Sequence, residues 1–242
     1  MSKAVVPISG GLDSAVILSI SSAYYDKVYT ISYDYGQKHK KELLYAEMQI
    51  DCYDNIEHHN RVDLSFFKNI VTSSSITNNN IPVAHAKDVL GDAQTVNYVP
   101  FRNMMMLSIA CSYAEAVGAE TVYHGAALVD SQAGYWDGSK ELVDTVNQVT
   151  DLNREKRITI EAPLLNMSKA AIVKEGLRLG VKYGDTWTCY SNRKDGLADA
   201  TTPSSSMRVK GFIDAGYEDP IRYVQQEKLD NLYKDNKCKE CA

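Results

Sequence analysis

Six residues near the N-terminus, Ser9-Gly10-Gly11-Leu12-Asp13-Ser14, dictate more of the fold than any other stretch of the chain. Before them Lys3 to Ile8 is a short β-branched run, and after them Ala15, Val16, Ile17 and Leu18 open a helix-like stretch. The hexapeptide is therefore the loop of a strand-loop-helix unit. Two glycines let the backbone approach a polyanion, and the hydroxyls of Ser9 and Ser14 add donors. The helix start contributes N–H groups and the positive end of a dipole. A triphosphate or a leaving pyrophosphate fits such a loop; the competing reading is an ordinary turn capped by Asp13 or Ser14. No lysine follows the glycines as in a Walker A loop, and the three spaced glycines of the dinucleotide fingerprint are missing.

The same alternation continues along the chain. Val28 to Tyr33 reads as a second strand, Lys38 to Ile50 as a charged helix and Ile56 to Leu64 as a third strand, which implies right-handed βαβ units and a parallel sheet. Ser65 to Asn97 is rich in Ser, Thr and Asn, and is expected to be a long surface excursion, either a lid or a disordered insert. Regular structure resumes with a helix from Asn103 to Val117 stopped by Gly118, a strand from Glu120 to His124 and a helix from Lys140 to Gln148. A strand from Ile158 to Glu161 and a helix from Lys169 to Leu179, closed by Gly180, follow. The expected architecture is α/β, a Rossmann-like sheet of five parallel strands with flanking helices over residues 1–185, and a small C-terminal appendage over residues 186–242.

Composition narrows the function. At 242 residues the chain can bury the core an enzyme needs. A formal net charge of -5 argues against a non-specific nucleic-acid binder, since phosphate neutralisation needs a concentrated Lys/Arg surface. No apolar run approaches the roughly 18 residues that span a bilayer, and no basic region with an apolar signal core opens the chain. The expectation is a soluble cytoplasmic protein with no direct nucleic-acid or membrane partner. The five cysteines, Cys52, Cys111, Cys189, Cys238 and Cys241, form no disulfide framework. Cys111 sits in an apolar run and reads as a buried, inert thiol.

The hexapeptide is similar to the pyrophosphate loop of the N-type ATP pyrophosphatases, the PP-loop superfamily with an adenine nucleotide alpha hydrolase-like fold. Further segments resemble the 7-cyano-7-deazaguanine synthase family: Tyr33-Asp34-Tyr35-Gly36-Gln37-Lys38-His39, Tyr98-Val99-Pro100-Phe101-Arg102-Asn103, Ala133-Gly134-Tyr135, Ala162-Pro163-Leu164-Leu165 with Lys169, and Thr186-Trp187-Thr188-Cys189-Tyr190. Gly211-Phe212 and Gly216-Tyr217-Glu218-Asp219-Pro220-Ile221 continue it, so the resemblance is colinear from Ala4 to about Tyr223. It implies a ligase that uses ATP, Mg2+ and ammonia to turn 7-carboxy-7-deazaguanine into the nitrile, through adenylated carboxylate and amide intermediates, and a homodimer.

The residues make chemical sense on their own terms. Tyr35, Gln37 and Lys38 would follow the second strand, where ligands of open α/β sheets bind, and are a candidate nucleotide wall; the alternative is a solvated helix start. Arg102 is placed to aim a guanidinium at a carboxylate or phosphate, and Asn103 either joins it or caps the helix. Met104, Met105, Met106 and Leu107 read as core filler. Lys169 lies at a helix start, where a lysine conflicts with the dipole unless an anion is near; the resemblance supplies a phosphate or adenylate, and Ser168 is the plain N-cap. Asp13, Arg102 and Lys169 are thus the candidate catalytic residues. By resemblance the loop of Asp130, Tyr135 and Asp137 surrounds the deazaguanine, with a carboxylate on its amine edge and Tyr135 stacking.

Two departures stand out. Where the family continues Pro-Asp-Cys-Arg after its tyrosine, this chain has Trp136-Asp137-Gly138-Ser139, and one arginine for the substrate carboxylate is gone. The resemblance also implies a four-thiolate zinc site, of which only Cys189 survives; Asp199, Thr202 and Ser205 hold the other three positions. Cys238 and Cys241 form a CxxC pair that would rebuild a zinc site with Cys189, and with Asp199 as an oxygen ligand, if the tail folds back. Alternatively the site is metal-free and the loop is held by hydrogen bonds. Two other activities stay open: an amidating enzyme that stops at the amide or takes another carboxylate, and an inactive nucleotide-binding module.

Overall fold

The computed structural model describes residues 1–38, 40–86, 95–128, 135–189, 193 and 195–240, the side chains of 234–240 excepted. Strands β1 (Lys3–Pro7), β2 (Lys27–Asp34), β3 (Ile56–Asp63), β4 (Thr121–Tyr123) and β5 (Thr159–Glu161) form one sheet in the order β3-β2-β1-β4-β5. Every neighbouring pair is parallel, with Val5 of β1 opposite Tyr29 of β2 on one side and Val122 of β4 on the other. Helices α1 (Leu12–Tyr24) and α2 (Lys41–Ile50) carry the chain outward to β3. It then passes through the single turn α3 (Phe67–Ile70) and the long α4 (Arg102–Val117) to β4, on the far side of β1. The chain changes direction between β1 and β4, and the crevice beyond their carboxyl ends is where such sheets bind ligands.

The period of two along a strand sorts the core. Ala4 and Val6 join one buried cluster with Leu12, Val16 and Ile172, while Val5 joins the opposite one with Ile31, Leu107, Val122 and Ile160. Helices α5 (Lys140–Thr150) and α6 (Lys169–Arg178) flank β5 in sequence. Beyond residue 185, α7 (Pro203–Ala215) and α8 (Gln226–Glu240) follow, and Trp187, Val209, Phe212, Ile221, Tyr223 and Leu229 enter the α1-side cluster. Cys111 is half-buried, and burial pushes its thiol up to about 11, as an inert thiol requires.

The polar stretch after β3 departs from a bare lid over its described residues. Ile76 is buried in the second cluster, Ser75 N–H donates to Val96 O (2.6 Å) and the Thr77 hydroxyl donates to Val71 O (2.9 Å). One isoleucine and local Ser/Thr turns thus anchor a segment whose composition hides any periodicity. Ala86 N–H donates to Thr201 O (2.9 Å), tying the segment to the C-terminal region.

Candidate active site

The loop after β1 owes its shape to Gly10. Its φ of 80° is left-handed, and a Cβ there would stand 2.0 Å from the Glu42 carbonyl oxygen of α2, so only glycine lets the loop lie against that helix. Its carbonyl accepts from Gln49 Nε2 (2.9 Å) and Trp187 N–H (2.8 Å). No side chain caps the start of α1. Neither Asp13 nor Ser14 does so: Ser14 Oγ donates to Gly11 O (3.1 Å) and stands 3.2 Å from Ser9 Oγ, while the Asp13 carboxylate turns to Lys169. An uncapped helix start behind a glycine turn has the N–H groups and dipole that an anion site needs.

Lys169 is the first residue of α6, whose N-cap Ser168 accepts from Ala171 N–H (3.2 Å). Its ammonium bonds both Asp13 oxygens, at 2.7 and 2.8 Å. The anion that relieves its conflict with the helix dipole is therefore Asp13. The residues Ser9, Gly11, Leu12, Asp13, Ser14 and Lys169 line a cleft of about 170 Å³ with Trp187, Thr188 and Arg208.

That cleft adjoins a larger one of about 370 Å³, and Ser9, Asp13, Ser14, Glu42, Ser204 and Met207 border both. Tyr33, Tyr35, Tyr98, Arg102, Asn103, His124, Tyr135 and Asp137 form its walls. Phe101, at φ 55°, turns the chain into α4. Arg102 then lies with its guanidinium 5.6 Å from the Tyr35 ring centre and Nη1 donating to Tyr35 Oη (3.3 Å). Asn103 does not cap α4: its Oδ1 accepts from Arg102 Nε (3.3 Å) and its Nδ2 donates to Asp137 O (3.4 Å). Tyr98 and Tyr135 stack at 6.4 Å, and Trp136 Nε1 donates to Tyr98 Oη (2.8 Å).

Gln37 and Lys38 stand apart from both clefts. The buried Gln37 amide bonds Tyr35 N–H (2.9 Å) and Tyr33 O (3.1 Å) and so fixes the turn after β2, and the Lys38 ammonium donates to Ile81 O (2.7 Å). The polar segment lies over this turn, with Lys38 N–H donating to Ile76 O (3.1 Å). Of the expected wall only Tyr35 reaches the cleft. Asp130 and Cys241 lie outside the described residues, as does the Cys238 side chain. Asp199 is held by Thr201 and Gln225, and among the described residues no three His, Cys, Asp or Glu side chains gather as a metal site.

Four wall residues escape a reading by motif. Ser204 and Met207 come from the first turns of α7, a Ser-rich stretch without apolar periodicity. Glu42 reaches both clefts because Gly10 draws the loop onto α2. His124 follows β4, and only its place at a strand's carboxyl end marks it.

Burial raises the Asp137 carboxyl above its ordinary 3.8, with Arg102 pulling it down, and lowers the His124 imidazole below 6.5. His124 Nε2 lies 3.1 Å from Asp137 O, so that nitrogen carries the proton of the neutral ring. Because the native Asp137 holds its proton to higher pH than the unfolded chain does, its charge costs stability as pH rises through the raised value. Asp137→Asn is expected to raise Tm at pH 7, since the amide carries no charge to be desolvated there. A Tm that stays put or falls in a thermal melt contradicts this electrostatic account.

The family model for queuosine biosynthesis protein QueC matches residues 3–216. The chain is 38% identical over 229 residues to the 7-cyano-7-deazaguanine synthase of Clostridium kluyveri, covering 92% of this chain and 98% of that protein. It is also 38% identical over 230 residues to the 7-cyano-7-deazaguanine synthase of Coxiella burnetii, covering 93% and 99%. Among solved structures, NMN synthetase from Francisella tularensis superimposes with a TM-score of 0.50 at 16% identity, covering 97% of this chain and 84% of that one, a likeness of fold. A match that runs from β1 through α7, over a parallel sheet whose switch point carries this glycine loop, places the chain in the QueC family of queuosine biosynthesis proteins.

Proposed function

We propose that the chain converts 7-carboxy-7-deazaguanine to 7-cyano-7-deazaguanine at the expense of ATP, with ammonia as nitrogen donor, as a cytoplasmic homodimer. The observation that carries this reading is the join between the two clefts: the anion site opens, across Ser9, Asp13, Ser14 and Ser204, into an aromatic-walled cleft of about 370 Å³. A triphosphate on the first and a planar acid in the second meet at the α-phosphorus.

The substrate carboxylate attacks that phosphorus and pyrophosphate leaves. Ammonia displaces AMP to give the amide. The amide oxygen then attacks the α-phosphorus of a second ATP, releasing a second pyrophosphate, and departs as AMP while the nitrogen gives up its two protons, leaving the nitrile. Catalysis is positioning and charge stabilisation. Lys169 receives phosphate charge beside the loop, and Arg102, a cationic side chain lining the larger cleft, holds the substrate carboxylate in place of the missing family arginine. Asp137 accepts from the amine edge of the base, Asn103 steadies the Asp137 backbone, and Tyr135 stacks on the ring. Asp13 and Glu42, carboxylates that border both clefts, would hold an Mg2+ brought in with ATP, and such an ion would neutralise phosphate charge there.

Adenylyl transfer and γ-phosphoryl transfer break different bonds, so the products decide. Chromatography of a turnover mixture is expected to show AMP and pyrophosphate. ADP with orthophosphate rejects the reading.

A further inference from the structure

The four positions to which the resemblance assigns zinc thiolates meet in this structure, without the ligands. Cys189 is fully buried, and its Sγ accepts from Asp199 N–H (3.2 Å) and lies 4.0 Å from Thr202 Oγ1. Thr202 Oγ1 in turn stands 2.9 Å from the buried Ser205 Oγ and 3.1 Å from Asp199 O. The Asp199 carboxylate is occupied elsewhere: its Oδ1 accepts from Thr201 N–H (2.9 Å), the Thr201 hydroxyl (2.7 Å) and Gln225 Nε2 (3.1 Å). His85, the nearby imidazole, has Nδ1 3.1 Å from Thr201 Oγ1. One thiol, two hydroxyls and a backbone amide are not a zinc donor set. Residues 190–192 are Tyr, Ser and Asn, and add no thiol, imidazole or carboxylate.

We infer that the Cys189–Asp199–Thr202–Ser205 cluster is a metal-free hydrogen-bonded knot that stands in this chain where the resemblance implies zinc. Each buried polar group in it has a partner, so the cluster holds without a cation. The knot pins the segment after Trp187 to the start of α7, and Ser204 Oγ adds a bond to Thr188 O (2.7 Å). Trp187 in turn bonds the loop carbonyl of Gly10 through its N–H (2.8 Å) and Cys189 O through Nε1 (3.0 Å). The knot is thus a positioning device two residues from the anion loop's own support. A separation near 4 Å between Cys189 Sγ and Thr202 Oγ1 is also close to the sulfur–sulfur spacing of a tetrahedral site with Zn–S of about 2.3 Å. That one pair of positions therefore keeps a ligand-like spacing, while Thr202 and Ser205 have closed to hydrogen-bond distance at 2.9 Å.

The test has two arms. Full-length protein purified without chelators is analysed for metal, and its Tm is measured in excess Mg2+ with and without 1,10-phenanthroline. The expected result is zinc far below stoichiometry and a Tm that ignores the chelator. In the second arm the triple variant Asp199→Cys/Thr202→Cys/Ser205→Cys is expressed with zinc. It is expected to hold about one zinc per chain and to acquire a chelator-sensitive Tm. Stoichiometric zinc in the wild type, lost on Cys189→Ser or Cys238→Ser, overturns the inference in favour of a site completed by the tail cysteines. A soluble triple variant that takes up no zinc overturns the proposed geometry.

Discussion

Lys169→Ala is expected to lower ATP-dependent turnover by about 10²–10³-fold, the range for loss of one preorganised charge contact in a transition state. The lysine is held firmly in place. Its ammonium grips both oxygens of Asp13 at 2.7 and 2.8 Å, and its stem crosses α7 at Gly211, where a Cβ would meet Lys169 Cγ at 2.5 Å. Glycine at that point lets the stem pass. With its Asp13 partner about a third exposed, the pair contributes little to stability. The loss of rate is accordingly expected with almost no change in Tm, and Asp13→Ala is expected to cost about 10²-fold by the same reasoning. Steady-state kinetics together with a thermal melt checks both numbers. Full activity in Lys169→Ala removes it from the mechanism, and a rate loss matched by a collapsed Tm makes it structural.

The largest stability effect is expected at Asp219. The Arg208 and Asp219 side chains are 1% and 0% exposed, joined by bonds of 2.7 and 2.9 Å. Arg208 also donates to Thr186 Oγ1 (2.6 Å) and Tyr183 O (3.0 Å), and Tyr223 Oη donates to Asp219 (2.7 Å). Asp219→Ala strands a buried guanidinium, which typically costs about 3–5 kcal/mol. In a domain of this size that lowers Tm by roughly 6–20 °C. The double variant Arg208→Met/Asp219→Leu removes both charges and is expected to recover much of the loss. A small Tm change in Asp219→Ala, below about 2 °C, contradicts the burial of the pair. Activity is expected to fall with stability here, since Arg208 lines the anion cleft and Thr186 precedes the Trp187 that supports Gly10.

Local pattern carried most of the fold. The glycine loop, the β-branched runs and the Gly118 and Gly180 stops mark βαβ units because each is set by neighbours in sequence. The α4 start shows the limit: Phe101 takes the left-handed backbone that a turn into the helix needs, and Asn103 is drawn to Arg102 and Asp137 instead of capping. Gln37 and Lys38 look like a polar wall in one dimension, yet Gln37 folds back onto Tyr33 and Tyr35 of its own turn, and Ile76 and Ile81 arrive from the distant polar segment and claim Lys38. Ser204 and Met207 were illegible for a related reason. Their place at the cleft comes from packing of α7 against α6, which no short window of sequence records. Tyr35, Arg102, Tyr135 and Asp137 did converge on one cleft, because strands and helices of a parallel sheet deliver their C-terminal and N-terminal ends to the same edge.

The two clefts together are expected to build a nitrile from a carboxylate. The most direct measurement is mass analysis of the product formed from 7-carboxy-7-deazaguanine, MgATP and ¹⁵N-ammonium. The expected product is 7-cyano-7-deazaguanine carrying the label, with about two AMP released per nitrile, one for each adenylation. Labelled amide as the end product with about one AMP, or recovery of unreacted acid and intact ATP, contradicts it.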